Sequence, residues 1–381
     1  MRRNIFLAIF LLLSSRAIAQ INTSADDYAP AFRNTADGKM EFWFTSGRSE
    51  KIRSKYSNDT RSRAIYISTC YDTGFGIPVR APSPINQAGG RSGDVALDGT
   101  PSFAVCDGSH GVFTSDRLVD GKYFGNDIYE MRLTNGEWTV RRIEEINSKE
   151  WDDSPALSPD GNRIYFASDR LTPGTRRADL YMSEFQNGHW SEPKYLPEVN
   201  TTEFSEETPC VGEDGYLYYS TNRSGDYDIW RAKLKPNGMP EDMGEPVAGV
   251  NRKGSDETHP CFSPGGGFFS YSSNYSEKGK ADFDIQWVKL RRPDAKIELD
   301  VRERLRQTTE RVSVPVHFVT DGHEKMIRSG ESGPMRLSLN DFLTEPAIPS
   351  ADTKRFQTVI HADVGSQKFV SSSDTLVGDR N

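Results

Sequence analysis

Residues 152–196 read DDSPALSPDGNRIYFASDRLTPGTRRADLYMSEFQNGHWSEPKYL. A short apolar run follows Pro155. The turn Ser158-Pro159-Asp160-Gly161 comes next, with proline presetting φ and glycine free to take a left-handed conformation. An alternating strand, Ile164-Tyr165-Phe166-Ala167, leads into the polar corner Ser168-Asp169-Arg170. A second alternating strand, Asp179-Leu180-Tyr181-Met182-Ser183, turns at Asn187-Gly188 toward Trp190 and a last strand near Tyr195. Four short strands joined by turn residues predict an antiparallel meander.

The same order of signals occurs five times. A landmark proline stands at Pro30, Pro101, Pro155, Pro209 and Pro260, at intervals of 71, 54, 54 and 51 residues. An apolar strand residue follows each, at Phe32, Phe103, Leu157, Val211 and Phe262. A glycine turn comes next, and the second strands read EFWFTS, GVFTS, IYFAS, LYYST and FFSYSS. Third strands begin at Ala64, Asp127, Asp179, Asp228 and Asp284, and extra polar sequence between Arg48 and Arg63 lengthens the first interval. A meander has two apolar faces and cannot bury both alone, so copies stack radially about an axis. The expected fold is therefore all-β. Its main part is a β-propeller of five visible four-stranded blades over residues 24–290, the alternative being a degenerate sixth blade at one end. Ring closure removes sheet edges, which favours a propeller over an open solenoid.

Composition narrows the function classes. The 381 residues carry a formal charge of −8, which argues against nucleic acid as a partner because phosphate binding needs a basic surface. Arg2-Arg3, the apolar run Ile5–Leu13 and Ala17-Ile18-Ala19 form a signal peptide pattern over residues 1–19. The apolar run is too short to span a bilayer, so no transmembrane segment is expected in the mature chain. Loss of Arg2, Arg3 and Arg16 on cleavage takes the formal charge from −8 to −11. No cysteine follows the cleavage site, so a lipid anchor is not expected. The expected location is the periplasm or the outer membrane, with secretion the alternative. Cys70, Cys106, Cys210 and Cys261 allow two disulfides in three connectivities. Cys210 and Cys261 also occupy a position filled by Ala31, Ser102 and Ala156, where a small residue is all that is required.

The stretch Trp190-Ser191-Glu192-Pro193, Asn200-Thr201, Glu206-Glu207, Asp214-Gly215 and Asp228-Ile229-Trp230 resembles the WD40-like propeller repeats of TolB-type and OmpA-associated envelope proteins. The resemblance covers residues 24–290 and implies a role in the bacterial cell envelope, with an envelope protein or peptide as partner. Residues 291–381 do not continue the repeat. VSVPVHFVT, PMRLSLNDF and FQTVIHA read as strands of a small β-sandwich-like module, similar to the carboxypeptidase-regulatory-like module that follows such propellers. The OmpA-like peptidoglycan-binding domain of relatives has no counterpart in this stretch, so direct peptidoglycan binding is not expected.

An acid stands three residues before each landmark proline: Asp27, Asp98, Asp152, Glu206 and Glu257. Asp26, Asp153, Glu207 and Asp256 double it in four copies. At the start of an innermost strand these carboxylates lie near the mouth of a central channel. One reading is an acidic ring that binds a basic peptide segment or a cation such as Ca2+. The other is architectural, each carboxylate accepting backbone N–H groups of the turn that feeds its strand. The third-strand acids Asp127, Asp179, Asp228 and Asp284 recur with Arg48, Arg117, Arg170 and Arg223, and a charge-assisted bond between the two sets is expected. The six histidines show no metal-ligand spacing, and no cofactor is expected. Gly330-Glu331-Ser332-Gly333-Pro334 reads as a turn and not as a serine-hydrolase loop. The uniform blades point to a non-enzymatic protein- or peptide-binding propeller. The alternative is a carbohydrate-binding or glycoside-hydrolysing propeller that uses the channel-mouth carboxylates.

Overall fold

The structure, a computed structural model, describes residues 21–48 and 63–289 with short breaks at 72–73, 91–92, 119, 123–124, 174, 176 and 277–280, and beyond these the strands of a C-terminal stretch. The chain forms two compact units, the first ending at Val288 and the second running from Lys289 to Asn381.

The first unit is a five-bladed β-propeller. Its innermost strands are Asp27–Asn34, Asp98–Phe103, Asp152–Leu157, Glu206–Val211 and Glu257–Phe262. Each packs against the next, and the first packs against the last, so the ring closes after five blades. The second strands (Met40–Ser46, His110–Ser115, Arg163–Ser168, Tyr216–Thr221, Phe268–Ser273) pair antiparallel with them. The third strands (Ala64–Tyr71, Asp127–Thr134, Asp179–Gln186, Asp228–Lys233, Asp284–Lys289) come next. The fifth sheet has three strands among the described residues.

The apolar core lies in the seams between blades. Phe113 and Tyr129 of the second blade pack with Trp43 and Ile65 of the first. Val112 and Ile128 face Phe166 and Tyr181 of the third, and Tyr165 and Leu180 face Leu217 and Tyr219 of the fourth. Aromatics of the second and third strands fill these seams because alternation sends every second side chain to one face of the pleat.

An asparagine follows the third strand in each of the first four blades and holds it. Asn86 bonds the backbone of Ile65, Asn147 that of Ile128, Asn200 that of Leu180 and Asn251 that of Ile229. For the fifth blade the asparagine comes from the other end of the chain. Asn22 takes the N–H of Ile285 and gives an N–H to its carbonyl, both at 2.9 Å. This clasp joins the two ends of the propeller's sequence.

Each innermost strand is bulged at its landmark proline. The register skips between Tyr28/Ala31, Gly99/Ser102, Asp153/Ala156, Glu207/Cys210 and Thr258/Cys261. The residue before each proline has φ near +50°: Ala29, Thr100, Ser154, Thr208 and His259. Left-handed φ costs a non-glycine residue about 1–2 kcal/mol, so five such residues in one ring need a shared cause. A bulge sets two residues of its strand against one of the partner and re-aims their side chains. Here it turns them toward the axis.

The second unit contains a four-stranded antiparallel sheet, in the order His323–Arg328, Pro315–Thr320, Lys354–Val364, Gln367–Val377. Two short pairs accompany it, Lys296–Leu299 with Met335–Ser338 and Glu303–Leu305 with Thr308–Glu310. The turn at 330–334 lies outside the described residues.

Candidate functional site at the channel mouth

The recurrent arginine pairs with a different acid from the one expected. Arg48 meets Asp27 at 2.7 Å, Arg117 meets Asp98 at 2.7 Å, Arg170 meets Asp152 at 2.6 Å and Arg223 meets Glu206 at 3.1 Å. The expected bonds to third-strand acids do not form; Asp127 pairs with Arg142 instead. Geometry explains the correction. Each guanidinium lies flat between one aromatic of the second strand and one of the third, as Arg117 does between Phe113 and Tyr129. From there it reaches past the second strand to the innermost one, and also to a carbonyl of the incoming segment, such as Ile85 O. Stacking, an ion pair and a backbone bond from one planar group suit arginine and not lysine.

The same five acids also cap the turns that feed their strands. Asp27 accepts the N–H of Thr23, Asp98 that of Gln87, Asp152 that of Ser148, Glu206 that of Thr201 and Glu257 that of Arg252. All five are fully buried. In the fifth blade, where Tyr275 replaces the arginine, Ser255 and Ser273 donate to Glu257 instead, each at 2.7 Å. Asp26 and Asp256 turn to backbone groups, accepting from Phe283 N and Tyr227 N. Of the nine acidic candidates two remain, Asp153 and Glu207, and they lie in one charge field across neighbouring blades.

They occupy one position of the repeat, two residues before the landmark proline. Tyr28, Gly99 and Thr258 fill it in the other blades. Asp153 accepts from Asn126 Nδ2 at 2.9 Å, from its neighbour Ser154 N at 2.5 Å and from Thr100 Oγ1 of the second blade at 3.4 Å. All three are donors, so Asp153 serves as an acceptor. Glu207 accepts the phenol of Tyr227 on Oε1 at 2.9 Å. Glu207 itself is half-buried. Burial pushes its carboxyl up to about 7; the Tyr227 bond opposes this, and Asp153 adds to it.

Three more residues complete the mouth, none of them singled out from sequence. Arg63 follows the long insertion of the first blade and donates to Tyr28 Oη at 3.1 Å. Tyr28 lies against the His259 ring at 5.3 Å, first blade to fifth. Burial and the nearby Arg63 lower the His259 imidazole to about 3, so it stays neutral at ordinary pH. Burial raises the Tyr28 phenol, as do the charges of Asp153 and Asp26, while Arg63 opposes the rise. Charges that act between the first and third blades must lie close to the axis. Gly99 leaves the second blade without a side chain at this level; a Cβ there would stand 3.1 Å from the Thr45 side chain.

A signal for this cluster existed in the sequence. The architectural acid repeats in every copy, whereas the next position reads Tyr, Gly, Asp, Glu, Thr. Architecture repeats and a single site does not, so the variable position was the one to follow. The blades are therefore not uniform where it matters.

Beneath the mouth the channel narrows to a cavity of ≈ 70 Å³ lined by Ala29, Thr100, Ser154, Thr208 and His259 and, further down, by Cys210 and Cys261. That volume holds a few waters, well short of the roughly 300 Å³ of a small-ligand pocket. All four cysteines are free, and burial pushes the Cys210 and Cys261 thiols up. No group of three or more metal-ligating side chains occurs among the described residues.

No family model matches the chain, and no curated protein is similar enough to match. Solved structures do share its fold. An endo-arabinase from Bacteroides thetaiotaomicron is 14% identical with a TM-score of 0.43, the likeness covering 69% of this chain and 93% of that one. A family 117 glycoside hydrolase from Zobellia galactanivorans is 15% identical with a TM-score of 0.41, covering 69% and 85%. An α-L-arabinanase from Penicillium chrysogenum, complexed with arabinobiose, is 9% identical with a TM-score of 0.38, covering 70% and 97%. At this distance the likeness is one of fold, and the activities are those of the named proteins. The expectation of a non-enzymatic propeller, which rested on uniform blades, is corrected: the blades differ at the position of Asp153 and Glu207, where uniformity had argued against catalysis.

Proposed function

We propose that this protein is a glycoside-hydrolysing propeller whose catalytic carboxylates are Asp153 and Glu207. The observation that carries the reading is the pair itself. Two carboxyl groups from neighbouring blades share one channel mouth, and their surroundings push them toward different roles. Glu207, held near 7 by burial, is the general acid. Its Oε1 is taken by the Tyr227 phenol, which leaves Oε2 to protonate the glycosidic oxygen as the C–O bond breaks. Asp153, fixed by Asn126 and the Ser154 backbone, takes the proton of an attacking water or attacks the sugar carbon itself. Water then supplies the hydroxyl of the new reducing end.

The motif from Trp190 to Trp230 supports a kinship of the repeats with the WD40-like repeats of TolB-type envelope proteins. The signal-like residues 1–19 support a site of action outside the cytoplasm. The test is cleavage of a polysaccharide panel, read as new reducing ends. Asp153→Asn and Glu207→Gln should each lower the rate by about 10²-fold or more with melting temperature retained. Full activity in both well-folded variants would overturn the assignment.

A further inference from the structure

Arg63 is the odd arginine of the propeller. Among the described residues, every other buried or half-buried arginine lies within 4.0 Å of a carboxylate oxygen, as in Arg33–Glu41 at 2.7 Å, Arg142–Asp127 at 2.8 Å and Arg231–Glu245 at 2.7 Å. Arg63 meets a neutral phenol instead, Tyr28 Oη at 3.1 Å. It is half-buried at the mouth, and the charges of Asp153 and Asp116 reach it without contact. A guanidinium partly removed from water with most of its five N–H donors uncommitted is a costly arrangement, and an anion relieves it.

The remaining geometry says what kind of anion. Arg63 lies within the charge field of Asp153, so whatever it holds is also brought toward the acid pair. A planar carboxylate matches the guanidinium fork with two parallel bonds, and a sulfate ester is the competing anion that the experiment must separate from it. We propose that Arg63 binds the carboxylate of a uronic acid residue, making this propeller selective for acidic, uronate-containing glycans. This rests on the glycoside-hydrolysing reading above.

The experiment has a binding arm and a cleavage arm. In the first, D-glucuronate and D-galacturonate are titrated calorimetrically into the wild-type protein beside D-glucose, L-arabinose and glucose 6-sulfate. A uronate should bind at least tenfold more tightly than the neutral sugars, and Arg63→Gln should abolish that preference. Arg63→Lys, which keeps the charge and loses the fork, should retain only part of it. In the second, uronate-containing and neutral oligosaccharides are compared as substrates. Equal binding of neutral sugars and uronates, tighter binding of the sulfate, or an unchanged preference in a folded Arg63→Gln overturns the proposal. Cleavage confined to neutral oligosaccharides overturns it too and leaves the hydrolase reading standing. Uronate binding that depends on Arg63 without cleavage of any glycan instead sinks the hydrolase reading and leaves Arg63 as a carboxylate-binding residue.

Discussion

Asn22 and Ile285 exchange two hydrogen bonds of 2.9 Å across 263 positions of sequence. The same exchange occurs locally in the other four blades, so the ring is closed by a copy of its own repeat with the chain running in from the far end. If the signal peptide is cleaved after Ala19, Asn22 is the third residue of the mature chain.

Removing the clasp should therefore loosen the whole ring. Asn22→Ala deletes two bonds at about 0.5–1.5 kcal/mol each, so a loss of about 1–3 kcal/mol is expected. Urea unfolding checks it: the midpoint should fall while the slope stays constant, since the surface exposed on unfolding is nearly unchanged.

Processing should stop just short of that residue. Mass spectrometry of protein recovered after expression with its native N-terminus in a secreting host should give a chain beginning at Gln20. A chain beginning beyond Asn22 would contradict both the cleavage site and the clasp.

The arginine straps should matter more than surface ion pairs. Arg117 and Asp98 are both buried, and Arg117 is also held between Phe113 and Tyr129. Arg117→Ala leaves Asp98 without a cation in a buried site, which costs about 3–5 kcal/mol. Arg117→Lys should recover part of this and not all, because it restores charge without the planar stack. Thermal melting of the three proteins orders them.

Glu207 should make both stability and activity depend on pH. Its folded value, about 7, lies above the ordinary 4.5, so the unfolded chain releases its proton first as pH rises. The contribution of Glu207 to stability is then fully present below about 4.5 and is lost as pH rises through about 7. Glu207→Gln cannot ionise, so its melting temperature should gain on the wild type as pH is raised from 4 to 8. Hydrolysis that needs protonated Glu207 should decline over the upper part of the same range. A constant gap between the two melting curves would show that Glu207 titrates normally.

His259 has the opposite sign. Its folded value of about 3 lies below the ordinary 6.5, so stability is lost as pH falls below 6.5 and unfolded chains take up the proton first. The ring resonances of His259 should stay those of a neutral imidazole from pH 8 to 4, which nuclear magnetic resonance with specific labelling can follow.

Residue order alone determined the repeat, the strands within it and the all-β class. Turn chemistry and alternation are local properties, and five copies print them five times. It also printed a signal-peptide pattern over residues 1–19 and picked out the strand-start acids. Tertiary structure decided what those acids do. A carboxylate at the start of a strand reads the same whether an arginine crosses the sheet to it, as Arg170 does to Asp152, or the axis receives it, as it receives Asp153. The difference is one residue and the direction of a side chain, set by a bulge whose φ near +50° is written in no residue type. Arg63, Tyr28 and His259 come from the first and fifth blades to join Asp153 and Glu207 of the third and fourth. Only ring closure brings residues so far apart in sequence within reach of one charge field.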